Sequence, residues 1–178
     1  DMDSLDRMLK QHDATGKLIV VDGVYSMEGD ILRPPELWAP ARKYHAGIVV
    51  ADAHGIGVLG RHGEGPVVHF GLTDEISLIA GTFSKSLASI GGFVAGSQTL
   101  INYLKHHARA LIFSASMPPY AIATVHAALD IIRNEPERRE RLWKTTRKML
   151  EGFKSMGYNV GPSETPDRKS TRLNSSPT

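Results

Sequence analysis

Apolar residues recur along this chain in two alternating rhythms. Continuous short runs at 17–22 (KLIVVD), 47–52 (GIVVAD) and 76–81 (ISLIAG) predict buried strands. A helical period follows or precedes each of them. It predicts a helix over 3–12 with Leu5, Met8 and Leu9 on one face, and another opened by Pro34-Pro35 and running to about 45. Pro40 falls inside that second helix, where a proline costs about 3 kcal/mol outside the first turn. Further along, the pattern predicts a short strand at 92–96, a helix at 98–107 and a strand at 110–114. A helix at 119–133 carries Ile122, Val125, Leu129 and Ile132 at helical spacing, with alanines at 121, 123, 127 and 128 that permit close packing. The last helix, 136–155, is expected to bury Leu142, Met149, Leu150 and Phe153 under a charged outer face.

Glycine-rich stretches break both rhythms and predict loops: GVYSMEGD after the first strand, a long segment to about 74 after the second, and TFSKSLASIGG after the third. Strand–helix alternation of this kind predicts an α/β layer fold with a mostly parallel sheet. No internal repeat interrupts it.

Composition narrows the possibilities modestly. The 178 residues suffice for one domain or for part of a larger one. No apolar run approaches the roughly 20 residues of a membrane span. The N-terminal DMDSLDRMLKQHD is too polar for a signal peptide, and since it does not open on Met the native start is expected upstream. The absence of cysteine excludes disulfides, zinc–thiolate sites and thiol nucleophiles, and fits a cytoplasmic protein. The net charge of +2 is set by the last twelve residues, which carry Arg168, Lys169 and Arg172 against Asp167. Taking those three from 21 basic residues, and that one from 19 acidic, leaves 18 of each, so no nucleic-acid face is expected. That segment, DRKSTRLNSSPT, has no apolar period and resembles the translation of a sequencing adapter. We read 167–178 as a non-native tail, with the native chain continuing after Pro166; the plainer alternative is a polar C-terminus.

In a parallel sheet, ligands sit beyond the carboxyl ends of the strands. Three polar clusters fall at such ends: Ser26 after 17–22, Asp52 and His54 after the second strand, and Thr82, Ser84 and Lys85 after the third. Taken singly, each has a plain reading. Lys85 is either a desolvated amine able to form a Schiff base or a surface lysine. Thr82 and Ser84 are either phosphate donors or local caps. His54 is either a site residue or a structural histidine. Their convergence on one crevice is the stronger signal.

In order and spacing, DGVYSMEGD, DAHGIGVLG, GTFSKSLASIGGFVAG and LIFSASMPP resemble the motifs of the α-oxoamine synthases, fold type I enzymes that use pyridoxal 5′-phosphate (PLP). The family includes serine palmitoyltransferase, 8-amino-7-oxononanoate synthase and 2-amino-3-ketobutyrate CoA ligase. The resemblance covers about residues 1–166, and GTFSKS and KHHAR are most similar to bacterial serine palmitoyltransferase-like members. It implies a three-layer large domain, incomplete here: residues 1–150 as part of the PLP-binding domain and 151–166 as the start of a smaller one. It implies that Lys85 holds PLP and moves the substrate Cα proton, that Thr82 binds the cofactor phosphate, and that His54 and Ser26 hydrogen-bond the ring oxygen. Ser114 would reach the phosphate in the partner subunit of a homodimer. The implied reaction condenses an amino acid with an acyl-CoA, releasing CoA and CO₂ and giving an aminoketone.

This sequence departs from the family pattern at one telling position. The family reads V-D-[DE]-A-H where this chain reads Val50-Ala51-Asp52-Ala53-His54, so alanine replaces the aspartate expected against the ring nitrogen. Asp52 does not substitute for it, because adjacent strand residues face opposite ways. Glu64 stands where arginine is common, and Pro40 where an aliphatic residue is usual. Sequence error and real divergence both account for these departures. The resemblance also places an aromatic ring that stacks on PLP upstream of residue 1, and an arginine for the substrate carboxylate beyond residue 166. Two readings compete with the leading one: another fold type I enzyme, such as an aminotransferase or lyase, and a non-catalytic dimer partner, which Ala51 favours.

Overall fold

Three apolar runs with β-branched residues pair side by side as parallel strands and set the frame of the molecule. The computed structural model describes residues 1–11 and 16–167. Along the chain the elements are α1 (Met2–Gln11), β1 (Lys17–Asp22), β2 (Val24–Tyr25), β3 (Asp30–Ile31), α2 (Pro34–Lys43) and β4 (Ala46–Ala51). They continue as α3 (Pro66–His69), β5 (Leu78–Thr82), β6 (Gly92–Gly96), α4 (Gln98–His107), α5 (Arg109–Ile112), α6 (Pro119–Asn134) and α7 (Pro136–Ser155). The main sheet has the order β1-β4-β5-β6; β1, β4 and β5 are parallel and β6 is antiparallel to β5. The register aligns Asp22, Ala51 and Ala80, so the three parallel strands end together at one edge.

One face of the sheet is packed. Ile19, Ile48 and Val50 meet Leu9 of α1, Leu37 and Ala41 of α2, and Leu32, Val67 and Ile76. Leu18 and Val20 alternate with Ile19 along β1 and point the other way, more than 60% exposed. Helix α2 runs through Pro40, whose carbonyl still accepts the Tyr44 N–H at 3.1 Å. Leu37 and Ala41 are buried on either side of the proline, and that packing holds the turn which the missing N–H weakens. The helix stops at Lys43 because His45 turns the chain with φ of 53°.

Several predicted elements shift. GVYSMEGD holds a small hairpin of β2 and β3, and the long loop after β4 holds the one-turn helix α3, started by Pro66. The segment expected as a strand at 110–114 is instead the helical turn α5. Only Ala108 separates it from α4, which leaves no length to return to the sheet; the N–H groups of Ile112 and Phe113 bond back to Ala108 and Arg109. The face of α7 expected to be buried is also open. Leu142, Met149 and Phe153 are each more than a third exposed, since no element among the described residues covers them, and the buried residue is Thr146.

Candidate active site

The site is built where β4 and β5 end. Asp52 follows β4 directly, and its N–H donates to the Ala80 carbonyl at 2.7 Å, extending the pairing with β5 by one step. Its side chain turns inward and is 1% exposed. The carboxylate accepts the Gly55 N–H at 2.9 Å. Burial pushes its pKa up from 3.8 to about 6, against the opposing N–H groups of Gly55 and Ile56. Glycine is required around it: a Cβ on Gly55 or on Gly65, whose φ is +96°, would collide with the Asp52 carboxylate. Asp52 is thus the pin on which the loop 53–65 is folded. Ala51 lies in the sheet beside Asp22 and Ala80, and Asp52 points away from that row, as strand alternation requires.

Past this pin the loop delivers His54 to the protein's surface side. His54 and Lys85 line one cavity of about 260 Å³, together with Val58, Ser86, Pro166 and Asp167. The Nδ1 of His54 lies against the Asp167 carboxylate. That contact assigns the ring proton to Nδ1 and leaves Nε2 open. The Lys85 amine has no hydrogen-bond partner or ion pair among the described residues. Lys85 is held in its place by a tight turn, in which its carbonyl accepts the Ala88 N–H at 2.9 Å, and Ala88 has φ of 48°. Leu87, buried beneath, anchors the same turn.

Thr82 closes β5. Its hydroxyl lies 2.9 Å from that of Ser84, accepts the Ser84 N–H at 3.3 Å and donates to the Gly91 carbonyl at 3.3 Å. The two hydroxyls form a small donor cluster three residues and one residue before Lys85. Ser26 begins the turn between β2 and β3 and does not line the cavity. Ser114 follows α5, is exposed, and donates to the Ala110 carbonyl. The structure therefore brings His54 and Lys85 together on one cavity, while Thr82 and Ser84, next to Lys85 in sequence, and Ser26 and Ser114 are not among its lining residues.

Two lining groups had no sequence signal of their own. Val58 is an apolar residue in a glycine-rich loop. Asp167, read from sequence as the first residue of a non-native tail, reaches His54 because residues 163–167 pack on the Gly29 turn. The N–H groups of Glu164 and Thr165 and the Thr165 hydroxyl all donate to the Gly29 carbonyl, at 2.9–3.0 Å.

A cavity with an unpartnered amine, an imidazole and nearby hydroxyls suits a ligand that carries a carbonyl carbon and a phosphate. Comparison with known proteins gives the same direction. The profile of the family "Aminotransferase class I and II" matches residues 1–166. Serine palmitoyltransferase of Sphingobacterium spiritivorum is 50% identical over 167 residues, which is 93% of this chain and 42% of that protein. 8-Amino-7-oxononanoate synthase 1 of Bacillus velezensis is 44% identical over 167 residues, 93% of this chain and 43% of that protein. Among solved structures, serine palmitoyltransferase from S. paucimobilis with bound PLP-myriocin aldimine superposes with a TM-score of 0.86 at 36% identity, covering 94% of this chain and 44% of that one. The chain spans less than half the length of these relatives. Its resemblance to the α-oxoamine synthases is thus carried by whole-chain similarity as well as by the four motifs.

Proposed function

The chain belongs to the class I and II aminotransferase family, and from that premise we propose that it is part of a PLP-dependent acyltransferase of the α-oxoamine synthase type. The protein condenses an amino acid with an acyl-CoA, and the serine palmitoyltransferase-like reading is favoured by the identity to those relatives. The observation that carries the reading is the cavity in which Lys85 faces His54 at the shared carboxyl edge of the parallel strands. PLP, when bound, supplies an electron sink for the negative charge left at the substrate Cα.

The protein's own residues supply binding and proton transfer. Lys85 would hold the cofactor through its amine, and the same amine would be the group that takes the Cα proton and returns one. His54 would hydrogen-bond the ring oxygen. Thr82, with Ser84 beside it, holds the phosphate. Ser26, on the β2–β3 turn outside the cavity lining, would be the second residue to hydrogen-bond the ring oxygen. Ser114, exposed and outside the cavity, reaches toward the phosphate bound by the second subunit of a homodimer. The Cα–H bond would give up its proton, and the Cα–acyl bond would form as the thioester C–S bond breaks and CoA leaves as the thiol. The Cα–carboxylate bond would then break, releasing CO₂ while a proton takes its place on Cα. Residues 1–150 form part of the large domain and 151–166 open the smaller one. Residues 167–178 we take to be a non-native tail.

The test uses the full-length protein that carries this chain. Acyl-CoA-dependent thiol release with serine, glycine or alanine supports the reading, and Lys85→Ala abolishes it. Transfer to a 2-oxo acid acceptor without thiol release assigns an aminotransferase instead. A second reading, a non-catalytic dimer partner, is favoured by Ala51. Cofactor binding with no turnover in any of these assays supports it.

A further inference from the structure

A groove of about 660 Å³ lies between the 58–62 loop and the junction of α6 with α7, on the far side of Val58 from the Lys85 cavity. Four arginines line it: Arg61, Arg133, Arg139 and Arg147. His62 and His69 add two imidazole rings, and Glu140 is the one acidic residue of the lining. Its wall is fixed rather than loose. Trp143 donates its indole N–H to the Val58 carbonyl at 2.9 Å. Arg139 donates to the carbonyls of Arg61 and Ile132, which uses two of its five N–H groups and leaves the others free.

Spacing explains the clustering. Arg139, Trp143 and Arg147 stand at i, i+4 and i+8 on α7, so they share one face. Arg133 lies in the last turn of α6, and the tight connection through Glu135 brings it to the same groove. The neighbouring Arg138 is neutralised by Glu135 at 2.7 Å, whereas Arg133 and Arg147 make no ion pair or hydrogen bond among the described residues. Glu64 also feels the charge of Arg139 and accepts the His62 N–H at 2.8 Å, so it offsets part of the arginine charge from beside the groove. Charge is thus concentrated in a concave site and left largely uncompensated, although the chain outside its last twelve residues is neutral.

We propose that this groove binds a phosphorylated small molecule carrying two or more negative charges. Planar guanidinium groups on three sides match phosphate oxygens in paired hydrogen bonds. One carboxylate would leave most of the charge unmatched. The volume lies within the range of small-molecule sites. The site is separate from the Lys85 cavity and does not depend on the reaction assigned to it.

The experiment is calorimetry on the full-length protein loaded with PLP, so that the hydroxyl cluster near Lys85 is occupied, with inorganic pyrophosphate as the probe. Binding that weakens as salt rises is expected. The double variant R133Q/R147Q weakens it at least tenfold, Glu140→Gln tightens it, and Arg138→Gln, outside the groove, leaves it unchanged. No heat up to roughly 10 mM pyrophosphate, or equal binding by wild type and the double variant, overturns the proposal. If the double variant does not fold, a Glu140→Gln variant that binds no more tightly than wild type overturns it as well. Coenzyme A as a second probe separates two sources of the phosphate. Tighter binding than pyrophosphate, lost in the double variant, assigns the groove to the acyl donor; equal binding assigns it to a free phosphorylated metabolite.

Discussion

Replacing Asp52 by asparagine is predicted to stabilise the protein above neutral pH. Asp52 is 1% exposed, and burial raises its pKa from 3.8 to about 6. A raised carboxylate holds its proton more tightly folded than unfolded, so stability falls as pH rises between those two values. The full loss, reached above the folded value, is about 3 kcal/mol, a large share of the 5–15 kcal/mol typical of a domain. Asparagine keeps an acceptor for the Gly55 N–H and removes the charge. Urea unfolding of wild type and Asp52→Asn, followed from about pH 3 to pH 8, should give equal stabilities at the acid end. The variant should lead by about 2–3 kcal/mol at the alkaline end. Parallel curves, or a variant weaker than wild type at pH 8, would refute the assignment of Asp52 as a buried carboxylate that folding must desolvate.

Three further outcomes follow from neighbouring geometry. Gly65→Ala combines a positive φ of 96° with a collision against Asp52; a loss of about 3 kcal/mol or more is expected in the same unfolding assay, and a loss under 1 kcal/mol contradicts the pin. Trp143→Phe removes the donor to the Val58 carbonyl and should cost about 1–3 kcal/mol, read as a shift in the urea midpoint. Ala51→Asp restores a charge-assisted partner for a ring nitrogen, and turnover by the full-length protein should rise roughly 10- to 150-fold. The same change places a carboxylate in register with Asp22 on β1, so stability should drop by about 0.2–1 kcal/mol.

How much was legible in the sequence differs by element. KLIVVD could be bounded to the residue because a continuous β-branched run between breakers has few other uses. Helices α4, α6 and α7 were legible for the same reason, at a longer period. The run around 110–114 was not, since four apolar residues fit a strand or a turn of helix equally. Its state was decided by the single residue linking it to α4. The open face of α7 was missed because periodicity marks a face that wants a partner, and does not say whether one is present. Lys85 and His54 were singled out in the sequence by their place after apolar runs, and the structure sets both on one cavity, whose lining does not include Thr82. Asp52 was visible as a residue, but its role as a buried pin needed the three-dimensional approach of Gly55 and Gly65. The arginine groove was hidden because its members come from a loop and two helices, and their charges cancel against distant acids in any count along the chain.

The central claim is that the Lys85 cavity is the cofactor site. Borohydride treatment of the full-length protein incubated with PLP, followed by peptide mass mapping, tests it most directly. The account predicts a single reduced PLP label on Lys85, absent from Lys85→Ala. A label on another lysine, or none on Lys85 at saturating PLP, would contradict it.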